Sequence, residues 1–264
     1  MINKIIQDNL RDSKYDPSIA DAVNREVELE EKKGKLNEKR KPEADKKETQ
    51  ISENSGDFKR EGYIYVPSTK LYVAKERTLQ GKTWEETHRE IIPKGFVMQT
   101  PYEFMTFLTY LKDSKNIPDL KEKERKEILD DILKTGDWRA EWLNAKFVKG
   151  KGHRNLDIQY VTGIDRKGSL ITKQEPLEAC LNKNDYVTFN LNKQGLLTQS
   201  SGDNSYKQGK NIYFWYPREN TVAWFLTYSD RAGLSCYGGP DGSNAGLGVR
   251  LAIPTKINLG DLTQ

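Results

Sequence analysis

The chain has 264 residues, 31% of them charged and 35% hydrophobic, with a net charge of +4. That is length enough for one large domain or two small ones, and no apolar run approaches the roughly 18 residues that a membrane helix needs. Two cysteines and two histidines exclude a disulfide scaffold and leave little for a Cys/His metal site, and so small a charge, with no concentrated patch, gives no footprint for nucleic acid.

The first 60 residues are unlike the rest. They hold 14 Lys/Arg and 14 Asp/Glu but only two aromatics, Tyr15 and Phe58. Such a segment cannot bury enough apolar surface to offset its chain entropy. Residues 1–60 therefore read as a charged arm or linker, disordered or partly helical. Ala20, Val23, Val27 and Leu29 have rough helical spacing within a solvated helix over 17–40, and a short coiled coil is the alternative. The opening MINKIIQDNLRDSKYDP carries no apolar stretch of signal-peptide type. Location is left open between the cytoplasm and export by a non-classical route.

From residue 61 the pattern is that of a folded domain. GYIYVPSTKLYVAKE (62–76) alternates around a Pro-Ser turn and predicts a hairpin. Thr83 with Glu86 forms a capping box that opens a helix to about 91, ended by Pro93 and Gly95. Thr100 caps a second helix with Pro101 at its first position, and Tyr102, Met105, Phe107, Leu108 and Leu111 give it an apolar face. A charged third helix is predicted over 119–134, with Leu120, Ile128, Leu129, Ile132 and Leu133 inward. Beyond it the helical period disappears. WRAEWLNAKFVKG, NLDIQYVTGID, DYVTFNL, NIYFWYP, TVAWFLTYS and GVRLAI are strand-like pieces between Gly, Asn and Asp turns. The expected class is α+β, with two or three helices packed on short antiparallel sheets. The first and last strands are expected in one sheet.

One window stands apart. Between Asn211 and Thr255 there is no Lys, Gln or Met, although these supply 43 of the 264 residues. Ser, Thr, Tyr, Asn, Gly, Ala and Trp take their place. Buried strands with Gly-rich turns would shed lysine in this way. A binding surface of short and aromatic side chains would too, since Tyr and Trp give contact area at low entropic cost.

Motifs with chemistry are lacking. There is no Walker A loop, G-x-G-x-x-G, H-E-x-x-H, EF-hand loop or G-x-S-x-G elbow. His88 reads as a surface residue between Glu86 and Glu90, His153 as part of a solvated basic turn, and Cys180 as a small buried hydrophobe. Cys236 has no histidine near it in sequence to activate a thiolate, and Asp230 with Asp241 are too few for calcium. No catalytic residue, metal site or cofactor is expected.

MQTPYEFMTFLTYL (98–111), with Thr100, Pro101, Glu103 and Phe104, is similar to the R-L-P-T-E-x-E-W-E helix of the formylglycine-generating-enzyme type of C-type lectin fold. Gly248, Val249, Arg250 and Ala252 resemble that family's closing G-F-R-x-A. Within this fold, GYIYVPSTKLYVAKE, DWRAEWLNA, PLEACL, KNIYFWYPR and the S-D-x-x-x-L-x-C-Y frame at 229–237 look most like variable proteins of archaeal, Nanoarchaeota-type diversity-generating retroelements. In that family a reverse transcriptase copies a template with errors at adenines, and AAC or AAT codons then yield Asn, Ser, Thr, Tyr, Asp, Gly, Ala, His and a few others, but never Lys, Gln, Met, Glu or Trp. The resemblance implies a C-type lectin domain over 61–264 with a variable region at about 219–247. It further implies a non-enzymatic surface for an unknown protein or cell-surface ligand, with neither nucleic acid nor membrane insertion involved. Asn220, Thr221, Leu226, Thr227, Tyr228, Ala232, Gly233, Ser235, Gly238, Gly239, Asp241, Gly242, Ser243, Asn244 and Ala245 are the candidate surface. Trp224 is a contact rather than a variable position, and Val222, Ala223, Phe225, Leu234, Leu247 and Val249 are scaffold. The oxidase of the fold family uses two cysteines in this stretch, where only Cys236 stands here, and lectin calcium signatures are missing. An enzyme of the formylglycine-generating type and a viral receptor-binding or structural protein are the alternatives.

Overall fold

The computed structural model describes residues 62–114, 117, 118 and 120–255. The expected arm at 1–60, including its helix, lies outside the described residues. The hairpin forms as expected, β1 (Tyr63–Val66) against β2 (Leu71–Ala74), with Val66 opposite Leu71. Both capping boxes close. Thr83 Oγ1 accepts the Glu86 N–H at 3.3 Å while the Glu86 carboxylate accepts the Thr83 N–H at 2.9 Å, opening α1 (Trp84–Ile91). A 3-10 turn over Ile92–Lys94 and Gly95, at φ +79°, end it. After the short β3 (Val97–Met98), Thr100 and Glu103 repeat the box at the start of α2 (Pro101–Asp113). Helix α3 (Glu122–Leu133) follows.

The remaining strands are β4 (Arg139–Lys149), β5 (Leu156–Ile164), β6 (Leu170–Pro176), β7 (Asp185–Val187), β8 (Ile212–Trp215), β9 (Thr221–Thr227), β10 (Ala232–Gly238), β11 (Leu247–Gly248) and β12 (Leu251–Pro254). A four-stranded sheet runs β1-β2-β12-β3, and an eight-stranded sheet runs β6-β5-β4-β9-β10-β8-β7 with β11 beside β4. The first and last strands thus share a sheet, since Val73 of β2 lies opposite Ala252 of β12. The class is α+β.

Several expectations need correction. The sheets are not all antiparallel, because β8–β10 and β4–β11 pair in parallel. Nor are the strands all short, as β4 has 11 residues. Strand β10, AGLSCYG, falls where a surface loop was expected. Its small residues lack the β-branched signature of a strand, but alternation still holds: Ala232, Leu234 and Cys236 enter the core.

One cluster joins all layers. Phe104, Met105, Phe107, Leu108 and Leu111 of α2 and Ile128, Ile132 and Leu133 of α3 meet Leu143, Ala145, Phe147, Phe214, Ala223, Phe225 and Leu234 from one face of the large sheet, with Val66 and Val73 from the small one. The Phe104 and Phe225 rings are 5.0 Å apart. Tyr102, expected on the apolar face of α2, is exposed, and the loop at Gly195 packs against the backbone of that turn.

A buried ionic cluster ties the sheets to α3. Arg250, 1% exposed, donates from Nε to Glu141 (3.1 Å), from Nη2 to Asp131 (2.8 Å) and from Nη1 to the carbonyls of Ala74 and Lys75. Arg77 completes it, binding Asp131 at 3.0 Å and the carbonyls of Ala140 and Gly246, both at 3.2 Å. Burial pushes the Glu141 carboxyl up and the two arginines oppose that rise. Burial would raise Asp131 as well, but Arg77 and Arg250 hold it below its ordinary range.

His88, expected at the surface, is only 1% exposed. Its ring stands edge-on to Trp84 at 4.4 Å, and burial lowers its pKa from 6.5 to about 3. Its spacing from Trp84 places it on the inner face of α1, which the flanking glutamates conceal in the sequence.

Two outcomes are expected. Replacing Arg250 with Met strands the buried Glu141, and denaturant melts should show a loss of about 3–5 kcal/mol. A depressed folded pKa at His88 means that the unfolded chain takes up a proton first as pH falls. Stability should therefore decline from about pH 6.5 towards pH 3, by up to about 1.4 kcal/mol per pH unit, and His88→Leu should flatten that slope.

Candidate functional site

The lysine-free window divides into buried sheet and exposed loop. In β9 and β10, side chains alternate between the main core and the opposite face of the large sheet. Ala223 and Phe225, with Leu234 and Cys236, point to the core. On the other face, register places Trp142, Trp224, Ser235 and Trp215 in one row across β4, β9, β10 and β8. The next row is Ala140, Leu226, Gly233, Tyr213 and Tyr186, reaching β7.

That second face is paved with rings. Trp142 stacks on Trp224 at 5.3 Å, and Trp138 meets Trp224 edge-on at 6.4 Å. Tyr186, Tyr213, Trp215 and Tyr228 form a second chain at 4.9, 4.6 and 6.0 Å. Small residues on β10 make room for them. A Cβ on Gly233 would lie 1.9 Å from the Tyr213 carbonyl oxygen and 2.9 Å from the Trp215 ring, and one on Gly238 would lie 2.9 Å from the Trp224 ring. Arg231 lies over the Tyr213 ring at 4.6 Å and pairs with Asp230 at 2.6 Å.

A loop from Gly239 to Gly246 covers the Trp142 side. The Trp142 indole donates to the Lys82 carbonyl (3.0 Å), and the Trp84 N–H donates to the Pro240 carbonyl (3.1 Å). Asn244 turns the loop, accepting the Gly246 N–H on its side chain at 2.8 Å and the Leu247 N–H on its carbonyl at 2.9 Å. The loop is therefore fixed at both ends while Gly239, Asp241, Ser243, Asn244 and Ala245 face solvent.

Several expected surface positions are not at the surface. Leu226, Thr227, Ala232 and Ser235 are at most 2% exposed, and Gly233 and Gly238 are buried. The reason is that β9 runs between β4 and β10, and β10 between β9 and β8, so neither strand is an edge and both faces of each are covered. Thr221 spends its hydroxyl internally, on the carbonyls of Arg218 (2.6 Å) and Cys236 (2.8 Å). Asn220 is exposed but sits at φ +61°, where Asn is well tolerated and β-branched residues are not. Trp224, Tyr228 and Gly242 are half-buried. The expected scaffold residues Val222, Ala223, Phe225, Leu234, Leu247 and Val249 are all buried.

The sequence reading missed Trp138, Tyr186, Tyr213, Trp215 and Tyr237 as neighbours of this region. Alternating aromatics in NIYFWYP held the signal, since one of the two faces had to lie away from the core.

Thiol chemistry finds no activated group. Burial holds the Cys236 thiol well above its ordinary value and raises Cys180 to about 12. Among the described residues no three His, Cys, Asp or Glu side chains converge as a metal site. A cleft of about 600 Å³ lies elsewhere, between α1 and the β5–β6 hairpin, lined by Trp84, Arg89, Lys146, Gln159, Lys167 and Thr172. Glu85 is the acid in its wall and is paired with Arg89 at 3.2 Å. Comparison with protein-family models, curated proteins and solved structures finds no match to this chain.

The division of the window is testable by mutation. Gly239→Ser, Ser243→Tyr and Ala245→Ser together should change stability by no more than about 0.5 kcal/mol, as exposed positions do. Phe225→Ala should cost about 3–5 kcal/mol through the cavity it leaves. Gly233→Ser should be at least as damaging as a typical overpacked core, about 1–3 kcal/mol, because backbone must move. Equal melts for the triple variant and Phe225→Ala would show that the loop is core.

Proposed function

We propose that residues 61–264 are a non-enzymatic binding domain. In this reading it is a C-type lectin-type scaffold of a retroelement variable protein, and its changeable surface is the Gly239–Ala245 loop with the half-buried aromatics beside it. The observation that carries the reading is where the exposed part of the lysine-free window falls. Apart from short turns at Glu219–Asn220 and Ser229–Asp230 and the window's last residue, Thr255, it gathers on one loop, anchored at both ends over packed tryptophans. Side chains there can change without disturbing the core. Tyr and Trp at the margin supply rigid contact area, and the small loop residues supply adaptable hydrogen bonds. Pairing of first and last strands in one sheet, with helices between, fits a lectin-type scaffold. An unknown protein or cell-surface ligand is the partner in this reading.

The variable positions are narrower than the composition suggested. Gly233, Ser235 and Gly238 belong to the platform, because β10 has no room for larger side chains at its two glycines and buries the serine between strands. Asp241, Ser243, Asn244 and Ala245 remain, with Gly239 and the aromatic margin at Trp224 and Tyr228.

The test is the neighbouring DNA. A near-copy of the codons for about 219–250 is expected beside a reverse-transcriptase gene. It should differ only where the copy carries adenine, and most differences should fall in codons 239–245. A copy differing mainly at Val222, Phe225 and Leu234, or no copy at all, would overturn the proposal.

A further inference from the structure

At the end of the large sheet where β8 and β10 stop and β9 begins, two arginines and two tyrosines form a ladder. The Arg154 guanidinium lies over the Tyr216 ring at 4.7 Å, Arg218 lies over the same ring at 5.4 Å, and Arg218 also lies over the Tyr237 ring at 4.9 Å. Stacking uses the flat faces of the guanidinium groups and leaves their N–H edges free to donate.

Those edges are poorly satisfied. Arg154 donates once, from Nη1 to the Asn182 carbonyl at 2.9 Å. Arg218 Nε is buried with no acceptor, and among the described residues no carboxylate lies within ion-pair distance of either arginine. Elsewhere in the fold the arginines near the core are paired: Arg77 and Arg250 with Asp131, Arg125 with Glu122, Arg231 with Asp230. Two like charges against one ring, with no carboxylate among the described residues to balance them, is an arrangement that an anion completes at the terminal Nη groups.

Both arginines are held in place. Asp157 accepts the N–H groups of Lys151 (2.8 Å) and Gly152 (3.1 Å) and so fixes the turn that presents Arg154. A Cβ on Gly152 would lie 2.1 Å from the Leu177 nitrogen, so this turn is packed closely on the chain beyond β6. Arg154 and Asn155 both take positive φ, 57° and 59°. The Arg218 carbonyl is tied to the Thr221 hydroxyl at 2.6 Å. Little ordering is left for a ligand to impose.

We infer that the Arg154–Tyr216–Arg218–Tyr237 ladder is a binding site for a tetrahedral oxyanion, a phosphate or sulfate group. Arg218 would meet it with its terminal Nη groups, and Arg154 would neutralise it from across Tyr216. The inference does not rest on the retroelement reading and stands or falls separately from it.

The test is a titration of the full chain followed by NMR of the arginine Nε–H signals. Inorganic phosphate, inorganic sulfate and a phosphorylated monosaccharide are the probes, with chloride at matched ionic strength as the control. A saturable shift of the Arg218 Nε–H signal with phosphate or sulfate, absent with chloride, is expected. Tighter binding of the sugar phosphate than of free phosphate would identify an ester as the preferred source; equal or weaker binding would identify the free ion. Arg218→Gln should weaken phosphate at least about tenfold, the loss typical of a charge-assisted hydrogen bond, and Arg154→Gln should weaken it less. Phosphate should raise the Tm of the parent chain but not that of Arg218→Gln. Shifts that never saturate, shifts that chloride reproduces, or saturation that leaves the Arg218 signal unmoved would each overturn the inference. These outcomes are read on the parent chain and need no variant to fold.

Discussion

The buried guanidinium of Arg250 is the point on which the rest of the architecture depends. Its hydrogen bonds reach Glu141 on β4, Asp131 on α3 and the chain at the end of β2, while its own position lies between β11 and β12. Four elements far apart in sequence therefore converge on one planar group. Such a cluster contributes little net stability, because desolvating the charges costs about what their attraction returns. Its effect is on geometry. With Glu141 buried and Arg77 bridging Asp131 to the carbonyls of Ala140 and Gly246, other alignments of the closing strand would leave charges buried and unpaired. The same Arg77 contact fixes the end of the 239–246 loop, so the proposed binding surface is held by the cluster that joins the two sheets.

A second constraint is space on β10. Its partners on either side carry Trp215 and Trp224, and β10 answers with glycine and serine. Large rings on flanking strands and small residues between them give a face that is aromatic and flat without being loosely packed. The platform and the loop above it thus have opposite tolerances, although both share one composition.

Local signals in the sequence are legible where a few residues decide the outcome. Both capping boxes, the Pro-Ser hairpin and the stop at Gly95 depend on chemistry within four residues, and each stands as the sequence implied. Arg250 could be singled out from its place in the closing motif, but not its partners, since Asp131 and Glu141 lie more than 100 positions earlier. The error at Leu226, Thr227, Ala232, Gly233, Ser235 and Gly238 has one cause. Composition reports which side chains a segment carries, whereas exposure depends on which strand lies beside it. Nothing local shows that β10 runs between β8 and β9. His88 is hidden for a related reason: Glu86 beside it is exposed and Glu90 half-exposed, and only the turn-by-turn spacing from Trp84 marks it as inward.

The placement of β10 also has a kinetic consequence. Strands β8 and β9 follow one another in the chain but never pair; the gap between them is filled by the strand made after both. Until β10 enters, β8 and β9 each present an open row of backbone donors and acceptors, and the closing pairing of β12 with β2 joins residues about 180 positions apart in the chain. Assembly of this domain is governed by distant pairings, which fold slowly, and its half-formed state offers two sticky strand edges. A side chain too large at Gly233 would then act before any native state exists, by delaying the one insertion that seals both edges.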